Sequence, residues 1–167
     1  MSRIERLLIL GLLLLGTIAC DQSTKRVAQI ALEPGHVTHY LGDTVRLQLA
    51  ENPGAFLSLG AMLSAHARFI TFTIGVAIVL LGMLAWALTT RKITRLQLIG
   101  CALIVGGGAS NLADRIFADG RVVDFMNLGV GRLRTGIFNV ADVAIMIGVA
   151  ALVLRPRAQV GQSSSMS

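Results

Sequence analysis

The chain has 167 residues, room for one domain. Hydrophobic residues make up 54% of it, charged residues only 14%, and the mean hydropathy is +0.71. This balance excludes an ordinary water-soluble domain, whose surface needs more charge. The formal net charge of +6 does not indicate a nucleic-acid partner, because the basic residues lie beside apolar runs rather than on a face of their own.

Four apolar stretches follow one another. The first, Leu7 to Cys20, has only 14 uncharged residues, so to cross a hydrocarbon core of about 30 Å it must borrow Ile4 or continue past Asp21. Its start, with Arg3 and Arg6 before Leu7 to Leu15 and then Thr17-Ile18-Ala19-Cys20, has the outline of a secretory signal ending in a lipid-attachment box. That box usually has Leu where Thr17 stands, and three more spans follow, so a retained first helix is expected. The loop after it carries turn signals at Glu33-Pro34-Gly35 and Leu41-Gly42-Asp43. Between and after them, Val37 to Leu41 and Val45 to Leu49 predict a small sheet on the outer membrane surface.

The second stretch runs Phe69 to Thr90 and the third Leu96 to Ala113; the short link makes them an antiparallel pair. Gly106-Gly107-Gly108-Ala109 in the third lets neighbouring helices approach closely. The connection from 114 to 137 carries Gly120, Gly129, Gly131 and Gly136 with few apolar residues, which predicts a mobile segment over a site. The fourth stretch ends at Leu154, and its uncharged run reaches back only 12 residues to Val143, about 18 Å of helix. A crossing helix must therefore include Asp142 and Asn139, and an ionisable group at that depth marks a functional site.

Orientation follows from Lys and Arg. Residues 1–6, 89–95 and 155–167 hold seven basic residues against one acid, whereas the long connections 21–68 and 114–137 hold eight against seven over many more residues. The first set is predicted cytoplasmic, which puts both termini inside and Asp142 roughly 12 Å below the outer face. The expected fold is an all-α membrane protein of four transmembrane helices with a small extracytoplasmic sheet in the first outer loop. Residues 1–158 form one domain and 159–167 a polar, disordered tail. Cys20 and Cys101 lie at opposite membrane faces, too far apart to pair, and are expected to be small packing residues.

Asp114, Asp124 and Asp142 flank one loop at the outer boundary. Two carboxylates sharing a site cannot both ionise easily, so one keeps a proton at neutral pH, as an aspartic protease requires. The competing reading is that these acids cap helices and pair with Arg115, Arg121 or Arg132. A repeat, Asn111-Leu112-Ala113-Asp114 and Asn139-Val140-Ala141-Asp142, puts each Asn and Asp on one helix face, where both pairs could line one polar cavity. His36, His39 and His66 share the first loop without enough ligands for zinc and are expected to be surface residues, so no metal is assigned. No serine has a nucleophile setting, and no phosphate-binding loop is present.

Five segments occur in an order that resembles the motif series of lipoprotein signal peptidase, also called signal peptidase II, an aspartic intramembrane peptidase family. They are Asp21-Gln22-Ser23-Thr24-Lys25, Asn52-Pro53-Gly54-Ala55-Phe56, Gly107 to Arg115, Val122-Val123-Asp124-Phe125 and Phe138 to Asp142. The series covers roughly residues 5–155. The resemblance implies a membrane endopeptidase of the bacterial cytoplasmic (inner) membrane, multi-pass, with its active site near the outer face. It would cut the signal peptide from prolipoproteins just before a Cys that carries a diacylglyceryl group. Asp124 and Asp142 match the catalytic pair, and Asp21, Lys25, Asn52, Gly54, Asn111, Asp114, Arg115, Asn139 and Ala141 match positions that bind substrate or support the site. No cofactor is implied. The partners are the lipid-modified substrates and membrane lipid, not nucleic acid, and the protein is expected to be a monomer that globomycin inhibits. The sequence departs from the family pattern in having one Ala fewer before Phe56, no Pro near Ile137, and no aromatic residue in Met126 to Thr135.

Two other classes fit the bare pattern. A small proton-coupled transporter would use buried acids, but here they gather at the outer boundary beneath large loops. A non-enzymatic assembly subunit would use the glycine face of the third span and leaves the Asn and Asp pairs without a role.

Overall fold

The structure is a computed structural model that describes residues 1–53 and 63–154. Gly54, Ala55 and Phe56 of the second motif, and the tail expected at 159–167, lie outside the described residues. The fold is mostly helical with one small antiparallel sheet.

Helix α1 runs Arg3–Ala31, capped at its start by Ser2, whose hydroxyl accepts from the Glu5 amide at 3.1 Å. It takes in Ile4 at its start and also continues past Asp21, so both extensions that the apolar run left open are used. The second helical run is composite: α2 (Ala65–Phe69), a π-helical turn (Ile70–Gly75) and α3 (Val76–Thr89). Helix α4 (Arg95–Phe117) opens with a capping box in which the Thr94 hydroxyl and the Gln97 side chain exchange bonds with each other's backbone. Helix α5 runs Val140–Val153, and Asn139 is its cap rather than part of its body. That corrects the expectation that the helix includes Asn139. The helix is about 21 Å long, and the chain before it pairs with a strand instead of continuing the helix.

The sheet has the order β1 (Thr38–Tyr40), β2 (Val45–Asn52), β3 (Val122–Val130), β4 (Leu133–Arg134), all antiparallel. The connection after α1 therefore supplies only half of it. The segment expected to be mobile is a strand hairpin: Val122-Val123 and the alternation after them form β3, and Gly131 adopts φ +56 in the tight turn to β4. In β2–β3 pairing, Ala50 faces Asp124 and Asn52 faces Val122. Phe138 bridges Met126, with its amide donating to Met126 O at 2.8 Å, and this fixes Asn139 beside β3.

The helices pack through their small residues. A Cβ added at Gly107 would lie 2.5 Å from Ala141 O, one at Gly106 3.0 Å from Thr17, and one at Gly100 2.8 Å from Gly148 O. Leu10, Ala87, Ile93, Leu98, Cys101 and Ala102 form a core toward the other end of the bundle, where Arg6 donates to Leu88 O at 2.9 Å. Cys101 belongs to this core; Cys20 is exposed and lies outside it, contrary to the expectation that both are packing residues. Outward faces are apolar instead of charged: Leu12, Leu15, Ile78, Leu81 and Met146 are all well exposed. Two helical runs, His66–Thr89 and Arg95–Phe117, are long and apolar enough to cross a membrane, and Val140–Val153 is a shorter apolar helix.

The close contact at Gly107 sets a prediction. Gly107→Ala should destabilise the protein by about 1–3 kcal/mol through overpacking against the α5 backbone. Gly82→Ala, whose Cβ meets nothing within 4 Å, should be neutral or slightly stabilising. Thermal unfolding in detergent distinguishes the two; equal melting temperatures would contradict the α4–α5 packing.

Candidate active site

The site begins with the cap of α5. Asn139 Oδ1 accepts from the Asp142 amide at 3.0 Å, and Asp142 Oδ2 accepts from the Asn139 amide at 3.1 Å. This reciprocal box fixes the Asp142 side chain at the first turn of α5. Its other oxygen, Oδ1, accepts from Asn111 Nδ2 on α4 at 3.0 Å.

Asp124 arrives from β3 and is 2% exposed. Its Oδ1 accepts from Asn139 Nδ2 at 2.7 Å, and its Oδ2 from Asn52 Nδ2 at 3.0 Å. The fully buried Asn139 thus touches both carboxylates, one through each end of its residue, and its Nδ2 also donates to Asn111 Oδ1 at 3.1 Å.

Behind this pair lies a buried ion network. Lys25 Nζ sits 2.6 Å from Asp21 Oδ2 and 2.7 Å from Asp114 Oδ2, and donates to Asn111 Oδ1 at 2.8 Å. Asp21 Oδ1 accepts from the Ala141 amide at 2.8 Å, which ties α1 to the first turn of α5. Asp114 is therefore bound directly to Lys25, and the adjacent Arg115 acts on it only through its charge. The Arg115 guanidinium donates to Asn111 O at 3.2 Å. The two Asn-x-x-Asp repeats do not line one cavity as equals: Asn111 and Asp142 meet, while Asp114 faces the lysine. Arg121 pairs with Glu51, not with a site acid.

Of the residues singled out in the sequence, Asp21, Lys25, Asn52, Asn111, Asp114, Arg115, Asp124, Asn139, Ala141 and Asp142 come together in one layer; Gly54 lies outside the described residues. Gln22 and Ser110 were passed over. Gln22 Nε2 donates to Asp114 Oδ1 at 2.7 Å, and the Ser110 hydroxyl donates to Asp21 Oδ2 at 2.7 Å. Their only signal was position, each being next to an assigned residue.

The two carboxylates open on different sides. Asp142 lines a cavity of about 320 Å³ with Phe72, Val76, Ile145 and Met146. Asp124 lines one of about 140 Å³ with Asn52, Pro53 and Ile137. The negative charge of Asp142 acts on the Asp124 carboxyl, so one member of the pair can keep a proton and exchange it with a reacting group.

Burial is the main reason that the Asp124 carboxyl is pushed up to about 6, and the charge of Asp142 adds to it, against the Asn52 and Asn139 bonds and Lys25. A carboxyl that holds its proton more tightly in the folded state favours folding at low pH, and that contribution is lost as pH rises from about 4 through about 6. The loss is on the order of 3 kcal/mol. Asp124→Asn cannot ionise, so its stability relative to wild type should rise by that order between about pH 4 and about pH 7. Melting curves across that range test it; a constant difference would contradict the buried placement of Asp124.

A family model described as signal peptidase (SPase) II matches residues 13–156. The chain is 31% identical over 159 residues to the lipoprotein signal peptidase of Rhodococcus jostii, covering 90% of this chain and 73% of that one. It is 34% identical over 141 residues to that of Moorella thermoacetica, covering 84% and 87%. It is 39% identical over 122 residues to that of Salmonella typhi, covering 68% and 71%. Two solved structures of a bacterial membrane enzyme, obtained by the in meso method at 2.3 and 1.9 Å, share the fold. Their TM-scores are 0.75 and 0.74 at 23% and 24% identity; both matches cover 86% of this chain, with 84% and 89% of theirs. A match over nearly the whole chain, with relatives above 30% identity, establishes that the chain belongs to the signal peptidase II family of peptidases.

Proposed function

We propose that the protein is a membrane aspartic endopeptidase that removes signal peptides from diacylglyceryl-modified prolipoproteins. It cuts before the lipidated Cys, with Asp124 and Asp142 as its catalytic pair. The observation that carries this is the single buried amide of Asn139 joined to both carboxylates, each of which also faces a cavity.

One carboxyl of the pair carries a proton and polarises the scissile carbonyl oxygen; the other takes a proton from water, whose oxygen attacks the carbonyl carbon. The tetrahedral intermediate collapses as the leaving nitrogen is protonated, and the pair returns to holding one proton. The remaining residues position: Asn52, Asn111 and Asn139 fix the carboxylate oxygens, and Asp21, through the Ala141 amide, holds the start of α5. The chemistry needs no metal or cofactor.

Four helices cross the bacterial cytoplasmic membrane in this account, with both termini inside and one domain spanning residues 1–158. The exposed apolar faces support a lipid surround, and the basic residues near Arg6 and Arg95 support the inner assignment of that end. The sheet and the carboxylate layer then sit at the outer boundary, where the cleavage point of a membrane-anchored substrate lies. The protein is proposed to act as a monomer. The transporter alternative gains no support, because the helix acids lie in that one layer, apart from Glu5 at the inner end.

The test is cleavage of a diacylglyceryl-modified prolipoprotein by purified protein in detergent. Wild type should cleave, and Asp124→Asn and Asp142→Asn should each lower the rate by roughly 10³-fold or more while remaining folded. Near-full activity in either variant would remove that residue from the pair.

A further inference from the structure

The two acids that flank Lys25 each hold a backbone amide one residue before a carboxylate of the pair. Asp21 Oδ1 accepts from the Ala141 amide at 2.8 Å, next to Asp142. Asp114 Oδ2 accepts from the Val123 amide in a longer bond of 3.4 Å, next to Asp124. The first bond serves an amide in the opening turn of α5, where helix donors lack partners of their own. The second reaches into β3. One acid therefore stands behind each carboxylate of the site.

Gln22 and Ser110 join these two acids. Facing the Asp114 carboxylate, the Gln22 carboxamide presents its nitrogen, which donates to Asp114 Oδ1 at 2.7 Å. Its second hydrogen goes to the Ser110 hydroxyl at 3.0 Å, with a longer approach to Ser110 O at 3.4 Å. The Ser110 hydroxyl, accepting from Gln22, gives its one hydrogen to Asp21 Oδ2 at 2.7 Å. Lys25 Nζ lies 2.6 Å from Asp21 and 2.7 Å from Asp114, which closes a ring of Lys25, Asp21, Ser110, Gln22 and Asp114. Gln22 stands on α1, and Ser110 and Asp114 stand one turn apart on α4, so the link crosses between helices.

Charge neutralisation does not account for this link. Lys25 has three donors, and they are engaged by Asp21, Asp114 and, at 2.8 Å, Asn111 Oδ1. Gln22 and the fully buried Ser110 bond to the acids instead. What they add is a fixed orientation of the Asp21 and Asp114 carboxylates, and through these a fixed position of the Ala141 and Val123 amides. We infer that Gln22 and Ser110 are positioning residues that set the spacing of Asp142 and Asp124, by joining the acid that holds α5 to the acid that holds β3. Misplacing a reacting group by about 1 Å can lower a rate by about 10²-fold. That the spaced carboxylates are catalytic rests on the reading proposed above; the spacing itself does not.

The test combines two measurements on the full chain in detergent. The first is steady-state cleavage of a diacylglyceryl-modified prolipoprotein. Gln22→Met and Ser110→Ala should each lower kcat by about tenfold and leave KM within about twofold, because neither residue binds the substrate. Ser110→Thr, which keeps the hydroxyl, should recover most of the loss. The double variant should lose no more than the worse single variant, since the two residues form one link. The second measurement is amide hydrogen exchange resolved at Ala141 and Val123, which needs no activity. Gln22→Met should speed exchange at both amides by about tenfold, and Ser110→Ala should act on Ala141 more than on Val123. The Leu98 amide, bonded to Thr94 O at the other end of α4, should be unchanged in both. Ser110→Ala removes a single oxygen and carries the test if Gln22→Met fails to fold. Unchanged kcat in both single variants, a loss confined to KM, or exchange at Ala141 and Val123 no faster than in wild type would overturn the inference. A folded wild type that does not cleave would remove the peptidase reading, and the exchange measurement would still decide the positioning role.

Discussion

The arrangement depends on one buried side chain, the carboxamide of Asn139. Its oxygen caps α5 by accepting from the Asp142 amide, and its nitrogen donates to Asp124. The backbone amide of the same residue donates to Asp142. A helix start, a strand and two carboxylates are thus fixed by one residue with no exposed surface. An amide suits this place because it offers a donor and an acceptor without charge of its own. An aspartate there would add a third negative charge and lose the donor that Asp124 requires.

The polar layer around Asn139 lies in a protein whose interior is otherwise held by apolar contact and by glycines. Burying Lys25 between Asp21 and Asp114 is tolerable only because each charge is paired and hydrogen-bonded. Removing one member would leave the others uncompensated, so the network specifies one arrangement of α1, α4 and α5. The glycines act on the same three helices. Gly106 admits α1 and Gly107 admits α5, which brings the Asp21 carboxylate within reach of the Ala141 amide. Close packing and buried polar satisfaction therefore set the position of Asp142 together.

Much of this was legible in the sequence, for identifiable reasons. The short uncharged run before Leu154 forced an acid into the start of the last apolar helix, and the Asn-x-x-Asp pattern is that of a capping box. The end of the helix was less legible: hydropathy alone pulled Asn139 into the body, while the strand-like bridge at Phe138 shows that it stands outside. The glycines between 120 and 136 read as mobility and concealed β3, although Val122-Val123 and the tight turn at Gly131 carried the strand signal. The π-helical turn left no trace, since the run Ile70–Gly75 holds no proline, charge or other local signal that breaks a helix. The pairing of Lys25 with Asp114 could not be read locally, because the two residues lie on different helices and meet only through packing.

The account stands or falls on Asp124 and Asp142 behaving as one titrating unit. The direct measurement is the carboxyl carbon resonance of Asp124 followed through a pH titration, in wild type and in Asp142→Asn. The account predicts a midpoint of about 6 in the wild type and a lower one in the variant, because the neighbouring negative charge is gone. An Asp124 midpoint at the ordinary carboxylate value in the wild type, or one that Asp142→Asn leaves unchanged, would contradict it.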